Sequence, residues 1–318
     1  MDPFSHALIG ANIAGLAGHP LSLSDPLFWG PTLAAMAPDL DIVMQFKGDL
    51  AYLQNHRGMS HSIPALLITS GIITILLHFI FQSTVPIWSL FAVTTAGALS
   101  HSLFDMFNSY GVKLFWPFYR EKTALNLISL VDWFLLVFST CTLIAGTYYP
   151  TAFSLWAFTM IAYLLYRKWI LHSMHRYLRS VFSHYGLKKI VLLPARFQII
   201  HWDFLIETSG LFLVGQIHAF SLATEIRRQL EKTKANPFIK AALESNLGKL
   251  FEEFTPHFHV VYREIDCRHL VQFMDLRYYR KHDFMHTGIV ALDEQCCTIE
   301  QVFQPYSRRH RIIIPEQG

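Results

Sequence analysis

The sequence predicts an α-helical polytopic membrane domain followed by a smaller α+β soluble domain. Three observations predict it. The chain is 52% hydrophobic and only 15% charged, against about 25% charged in an ordinary soluble protein. Its first half holds successive apolar runs, each close to the roughly 20 residues that a spanning helix needs. Near residue 170 the composition turns ordinary and the apolar pattern begins to alternate. The expected domains are therefore 1–170 in the membrane, a basic linker over 171–196, and a β-rich cytoplasmic domain over 197–318.

The elements follow in order. Segments 4–17 and 27–46 are short or interrupted by Pro31, Pro38 and two aspartates. They read as helices that dip into the membrane or pack against a bundle, because irregular backbone at that depth needs protein or a water-filled cavity to satisfy it. Segments 64–81, 86–104, 129–149 and 153–170 read as about four spanning helices. Lys47, Arg57, Lys113, Arg120, Lys122, Arg167 and Lys168 fall in the connections on one side, and the connections at 82–85 and 150–152 carry no charge. The charged side and the C-terminal domain are thus expected in the cytoplasm, in a bacterial inner membrane. The N-terminus lacks a basic region, so no cleaved signal peptide is expected. In the second half, strands are expected over 197–207, 211–220, 259–266, 270–278, 284–292 and 298–303. A helical insert is expected between the second and third: one helix over 222–234, from its charge spacing, and another starting at Asn236-Pro237, a cap followed by proline at the first helical position. The four cysteines, Cys141, Cys267, Cys296 and Cys297, show no Cys-x-x-Cys spacing and read as reduced thiols.

Seven His and Asp residues stand out in the apolar first third: His6, Asp39, Asp41, His56, His61, His101 and Asp105. Such groups at membrane depth are costly and mark function by default. All are His or Asp, and no Lys or Arg occurs before Lys47 or between Arg57 and Lys113, so metal binding is favoured over an ion-pair network. His101 and Asp105, four apart, share one helix face. His56 and His61, five apart, do not, so Gly58 is expected to turn the chain and aim both imidazoles inward. Asp39 and Asp41 alternate on a backbone that Pro38 keeps irregular, so both carboxylates can face one site. His6 stands alone. Imidazole and carboxylate donors together suit zinc, with manganese or iron next. Seven candidates exceed the four ligands of a structural zinc site, which leaves room for one or two divalent ions and a water.

The motifs Ser-His-Ala-Leu-Ile-Gly (5–10), Ala-Pro-Asp-Leu-Asp (37–41), His-Arg-Gly-Met-Ser-His-Ser (56–62) and Ser-His-Ser-Leu-Phe-Asp (100–105) occur together and in family order. On them, residues 1–170 resemble the inner-membrane metal-dependent hydrolases of the YdjM type. That resemblance implies a membrane location and metal chemistry; some members of the family are also described as binding the repressor LexA. A more distant likeness is to zinc-dependent phospholipase C, from which the chain departs by lacking an N-terminal Trp and a later His-x-x-x-Glu pair.

The expected function is a membrane-bound hydrolase that cleaves a phosphoester of a lipid or lipid-linked substrate with a metal-activated water. His56, His61, His101 and Asp105 are the expected ligands, Asp39 a bridge, and His6 or Asp41 the remaining ligand. Asp41 is the candidate general base and Arg57 the candidate phosphate partner. Asn108 is expected at the substrate mouth. Asp132 is expected either behind a ligand histidine or as a helix cap. Two other classes stay open: a metal transporter or sensor, and a membrane-anchored regulatory protein that binds a partner through 197–318. A net charge of +3 gives no reason to expect nucleic acid.

Overall fold

The computed structural model describes residues 1–18, 21–48, 52, 56–195, 200–265, 268–280 and 283–315. Contacts divide the chain into two units, Met1–Met174 with Leu193–Trp202, and His175–Leu192 with Asp203–Gly318.

The first unit is helical. Helix α1 (Pro3–Leu16) starts at Asp2, whose carboxylate accepts from Ser5 N. Helix α2 (Pro26–Met36) starts at Asp25 and contains Pro31. It runs into a 3₁₀ segment, Ala37–Lys47. After a turn and a short 3₁₀ segment, Met59–His61, come α3 (Ile63–Ile80) and α4 (Ile87–Phe107). Helices α5 (Trp133–Gly146) and α6 (Thr151–Val181) follow. Among the described residues, α3 and α4 are long and apolar enough to cross a membrane, with mean hydropathy 2.2 and 1.3. The expected third span is shorter, 14 residues, because Asp132 caps the helix and starts it at Trp133.

One crossing point organises these helices. A Cβ on Gly10 of α1 would lie 2.4 Å from the Pro31 carbonyl oxygen, and one on Gly97 of α4 only 2.3 Å from it. Both helices therefore touch the α2 backbone where neither has a side chain, the close approach that small residues allow between membrane helices. One helical turn from that point lie His6 on α1, Ala35 on α2 and His101 on α4. The crossing thus fixes the spacing of the groups that matter below. Behind them, Ile9, Phe104, Ile128, Leu135, Trp156 and Met160 form one core cluster. Polar ties cross it: Asn12 Nδ2 donates to the Ser139 carbonyl at 3.1 Å, Trp156 Nε1 to Ser139 Oγ at 3.0 Å, and Arg167 Nε to the Leu127 carbonyl at 2.8 Å.

The second part is α/β. A four-stranded antiparallel sheet runs β1 (Lys189–Pro194), β2 (His201–Glu207), β3 (Leu211–His218), β4 (Thr224–Glu231) in spatial order. Strand β4 corrects the helix expected over 222–234. Its Glu and Arg residues fit a helical spacing, but pairing with β3 from Ile217↔Thr224 to Leu211↔Glu231 supplies backbone partners that local charge pairs cannot outweigh. Residues expected as a linker hold the end of α6 and strand β1. Helices α7 (Pro237–Glu244) and α8 (Asn246–Phe254) follow, and Asn236 caps the first as expected, accepting from Ile239 N. Strands β5 (Phe258–Ile265), β6 (Arg268–Asp275), β9 (Thr287–Leu292), β10 (Thr298–Gln304) and β11 (Ile312–Ile313) form a five-stranded sheet in the order β11-β10-β9-β6-β5. A small ribbon, β7 (Tyr279–Arg280) with β8 (Asp283–Phe284), completes the set. Phe251 of α8 packs on Phe273 and Phe303 of the larger sheet, with ring centroids 5.2 and 5.6 Å apart. His259 and His286 are buried, His286 between Phe254 and Tyr306. Cys267 and His282 lie outside the described residues.

Candidate metal centre

Four of the seven candidates meet. Atoms of Asp39, His61, His101 and Asp105 all lie within 4.8 Å of one another. His61, His101 and Asp105 are fully buried, while Asp39 keeps 10% of its side chain exposed. His61 Nε2 and His101 Nε2 are 3.0 Å apart. Asp39 Oδ1 is 3.7 and 3.6 Å from them, and Asp105 Oδ2 is 3.7 and 3.8 Å.

The far side of each ring decides what points inward. His101 Nδ1 is 2.6 Å from the Ala35 carbonyl oxygen. A carbonyl can only accept, so Nδ1 carries the proton and the neutral ring presents a bare Nε2. His61 is oriented through Ser60. Ser60 Oγ donates to Asp41 Oδ2 at 3.2 Å and lies 3.0 Å from His61 Nδ1. With its proton on Asp41, Ser60 must accept from Nδ1, so His61 Nε2 is also bare. Burial lowers the His61 pKa, partly opposed by Asp39, which keeps the ring neutral. Asp39 Oδ1 and Oδ2 and Asp105 Oδ2 accept no hydrogen bond, and Asp105 Oδ2 is held by the Arg57 guanidinium, Nε at 3.1 Å. In this tautomer the two imidazoles and two carboxylates turn four lone-pair atoms toward one point. Buried polar atoms left unpaired are costly, and a cation removes that cost.

The donor set fits a metal. Bonds of about 2.0–2.2 Å to tetrahedral zinc imply ligand atoms about 3.3–3.6 Å apart, and the distances above, 3.0 to 3.8 Å, bracket that span. Hydrogen bonds of Nδ1 to a carbonyl or a bridging hydroxyl are the usual way to orient a ligand imidazole.

The other expected site residues are elsewhere. His6 stacks on His101 with centroids 3.8 Å apart, and its Nε2 is 3.3 Å from Asp105 Oδ1, so it borders the cluster. The Met1 amine also bonds Asp105 Oδ1. His56, expected as a ligand, is paired with Asp41 at 2.8 Å instead. Asp41, expected as ligand or base, takes the His56 ring, Arg57 N at 3.1 Å and the Ser60 hydroxyl. With those donors in place it orients His61 and does not face the cluster. The turn that achieves this is made by Arg57, in the left-handed region at φ 59°, and not by Gly58, whose φ is −93°.

Arg57, expected to meet a phosphate, is buried and grips Asp105. Its Nε lies 3.1 Å from Oδ2 and its Nη2 donates to Oδ1 at 3.4 Å, while Nη1 donates to Asn108 Oδ1 at 3.0 Å. Asn108, expected at a substrate mouth, is buried: it donates to Asp105 Oδ1 at 3.0 Å and accepts from Tyr110 N and Gly111 N. Asp132 is a helix cap, accepting from Leu135 N at 3.1 Å and Tyr163 OH at 2.7 Å. Ser60 and the Ala35 carbonyl escaped sequence reasoning. Ser60 could have been found by its place beside His61, whereas a backbone carbonyl leaves no signal.

Fold and cluster together define a helical membrane protein with a buried His/Asp site able to hold a metal ion, joined to a C-terminal α/β domain. Residues 1–176 match the family described as YdjM inner membrane protein, and the chain belongs to that family. Residues 237–311 match the YfhP C-terminal alpha/beta plait domain. The chain is similar to YfhP of Bacillus subtilis (strain 168), described as an uncharacterized protein, at 29% identity over 313 residues, covering 92% of this chain and 91% of the relative. No solved structure matches. The likeness to phospholipase C finds no support in these comparisons.

Proposed function

We propose that the protein is a membrane-bound metal-dependent hydrolase acting on a phosphoester of a lipid or lipid-linked substrate. The supporting observation is the convergence of ligand atoms of His61, His101, Asp39 and Asp105 within 4.8 Å of one another. These four would hold one divalent ion, zinc being the best match to two imidazoles and two carboxylates. Such an ion lowers the pKa of bound water and polarises a phosphoryl oxygen.

The chain's own residues supply the rest. Arg57 and Asn108 hold Asp105 in place. Ser60, backed by Asp41, and the Ala35 carbonyl hold the two rings. Asp39 is the one of the four with exposed side-chain surface, 10%, and its two buried oxygens accept no hydrogen bond. Helices α3 to α6 would make four passes, with the cluster, the cations of the 108–122 loop and the C-terminal domain on the cytoplasmic side.

The test is hydrolysis of bis(p-nitrophenyl) phosphate by the purified full-length protein. Activity should be lost with chelator, restored by zinc and absent in His101→Ala; chelator-resistant activity would overturn the reading. One feature favours a second reading. Three fully buried ligands in a set of four fill zinc's usual coordination, as in closed sites. A metal sensor or transporter would bind zinc as tightly and show no hydrolysis.

A further inference from the structure

Segment Ala37–Lys47 is an eleven-residue 3₁₀ helix. At three residues per turn, side chains three apart eclipse, and runs this long are uncommon. Leu40, Val43 and Phe46 fall on one such row. They are 65%, 54% and 95% exposed, and Ile42 beside them is 54% exposed. Asp39 and Asp41, on the other rows, turn inward to His61, His101 and His56, while Ile42 and Gln45, further along the Asp39 row, are exposed. The segment therefore carries a site carboxylate on one side and a continuous apolar edge on the other.

A second observation says what covers that edge. The segment leaves the end of α2, His101 and Asp105 occupy the last turns of α4, and α3 starts beside His61, so all three helix ends meet here. The loop after α4 is tied to the same place, with Lys113 N donating to the Arg57 carbonyl and Ile63 N to the Leu114 carbonyl. It carries its own exposed apolar side chains, Phe115 and Phe118, the latter 92% exposed, next to exposed Arg120, Glu121 and Lys122, with Lys113 at the loop's start. Leu99 and Leu103 continue the exposed apolar face of the spanning helix α4 to this end. Apolar side chains continuous with a membrane span, with cations beside them, match the boundary between acyl chains and anionic headgroups.

We propose that the Leu40–Val43–Phe46 row lies in that boundary, on an anionic phospholipid surface, and sets Asp39, the cluster residue with exposed side-chain surface, next to the lipid headgroups. This rests on the metal-site reading only for the use made of the location; the docking of the row stands without it.

The experiment uses the full chain with its four cysteines replaced by serine. Nitroxide labels at Val43→Cys and Phe46→Cys, with exposed Ser221→Cys as the aqueous control, are measured in phosphatidylglycerol/phosphatidylethanolamine vesicles. Labels at 43 and 46 should be relaxed by oxygen and shielded from a water-soluble nickel chelate, the reverse of 221. Nickel access at 43 and 46 equal to that at 221 would overturn the proposal. So would spin–spin broadening, which would place a second copy on the row, or shielding from both relaxants, which would place other protein there. Zinc content of the same variants is read in parallel. Metal-loaded protein with aqueous labels refutes the docking alone, and lipid-buried labels without metal refute the metal reading alone.

Discussion

Ser60→Ala removes one hydroxyl and no ligand, yet it should weaken metal binding. In the native arrangement Ser60 Oγ stands 3.0 Å from His61 Nδ1 and 3.2 Å from Asp41 Oδ2. Without it, His61 Nδ1 is left 3.8 Å from Asp41 Oδ2, too far for a hydrogen bond. The ring then has no reason to keep its proton on Nδ1. The other tautomer points Nε2–H into the cluster, against His101 Nε2 at 3.0 Å. Leaving a buried donor unpaired costs about 1–3 kcal/mol, and outer partners of ligand histidines are typically worth about 10–100-fold in affinity. The two scales agree. Zinc affinity of Ser60→Ala, measured by competition with a chromophoric chelator, should fall about 10–100-fold, and Ser60→Thr should restore it. An affinity within about twofold of the parent, well below that range, would refute the tautomer argument.

Gly97→Ala places a Cβ 2.3 Å from the Pro31 carbonyl oxygen and 2.5 Å from Pro31 Cα, and backbone cannot yield as a side chain can. We expect about 1–3 kcal/mol of destabilisation and reduced metal content as α2 carries the Ala35 carbonyl away from His101; Gly71→Ala, whose Cβ meets nothing nearer than 3.9 Å, should melt like the parent. In the C-terminal part, burial pushes the Asp203 carboxyl up to about 6 from 3.8, partly offset by Arg227 and by the Gln216 amide. The folded state therefore binds this proton more tightly than the unfolded one. The contribution is fully present below about pH 4 and lost as pH rises through about 6, at most about 3 kcal/mol. Asp203→Asn, which keeps an acceptor for Gln216 Nε2, should raise the melting temperature at pH 7 and leave it unchanged at pH 4; an equal change at both would contradict the assignment.

Much of the site was legible because its chemistry is foreign to its surroundings. His61, His101, Asp39 and Asp105 are ionisable residues in apolar sequence, and the four-residue spacing of His101 and Asp105 is a helical repeat. What was not legible depends on the backbone. His56 looked equivalent to His61, but the left-handed turn at Arg57 aims it at Asp41. Arg57 looked available to a substrate, but Asp105 lies within its reach once α4 is packed. The caps at Asn236 and Asp132 are local and could be read from sequence, the second only as one of two roles. Residues 222–234 show the limit of charge spacing. Glu225, Arg228 and Glu231 suit a helix three apart, and only the presence of β3 makes them a strand. Pro31 read as an interruption of an apolar segment. It is the contact point for Gly10 and Gly97, a role that requires knowing which helices cross.

The central claim is that Asp39, His61, His101 and Asp105 bind one metal ion through inward-facing lone pairs. An anomalous difference map at the zinc edge, from crystals of zinc-loaded protein, tests it most directly. One peak is expected, about 2.0–2.2 Å from His61 Nε2, His101 Nε2 and one oxygen of each aspartate. No peak at that point, or a peak bound by His56 and Asp41 instead, would contradict it.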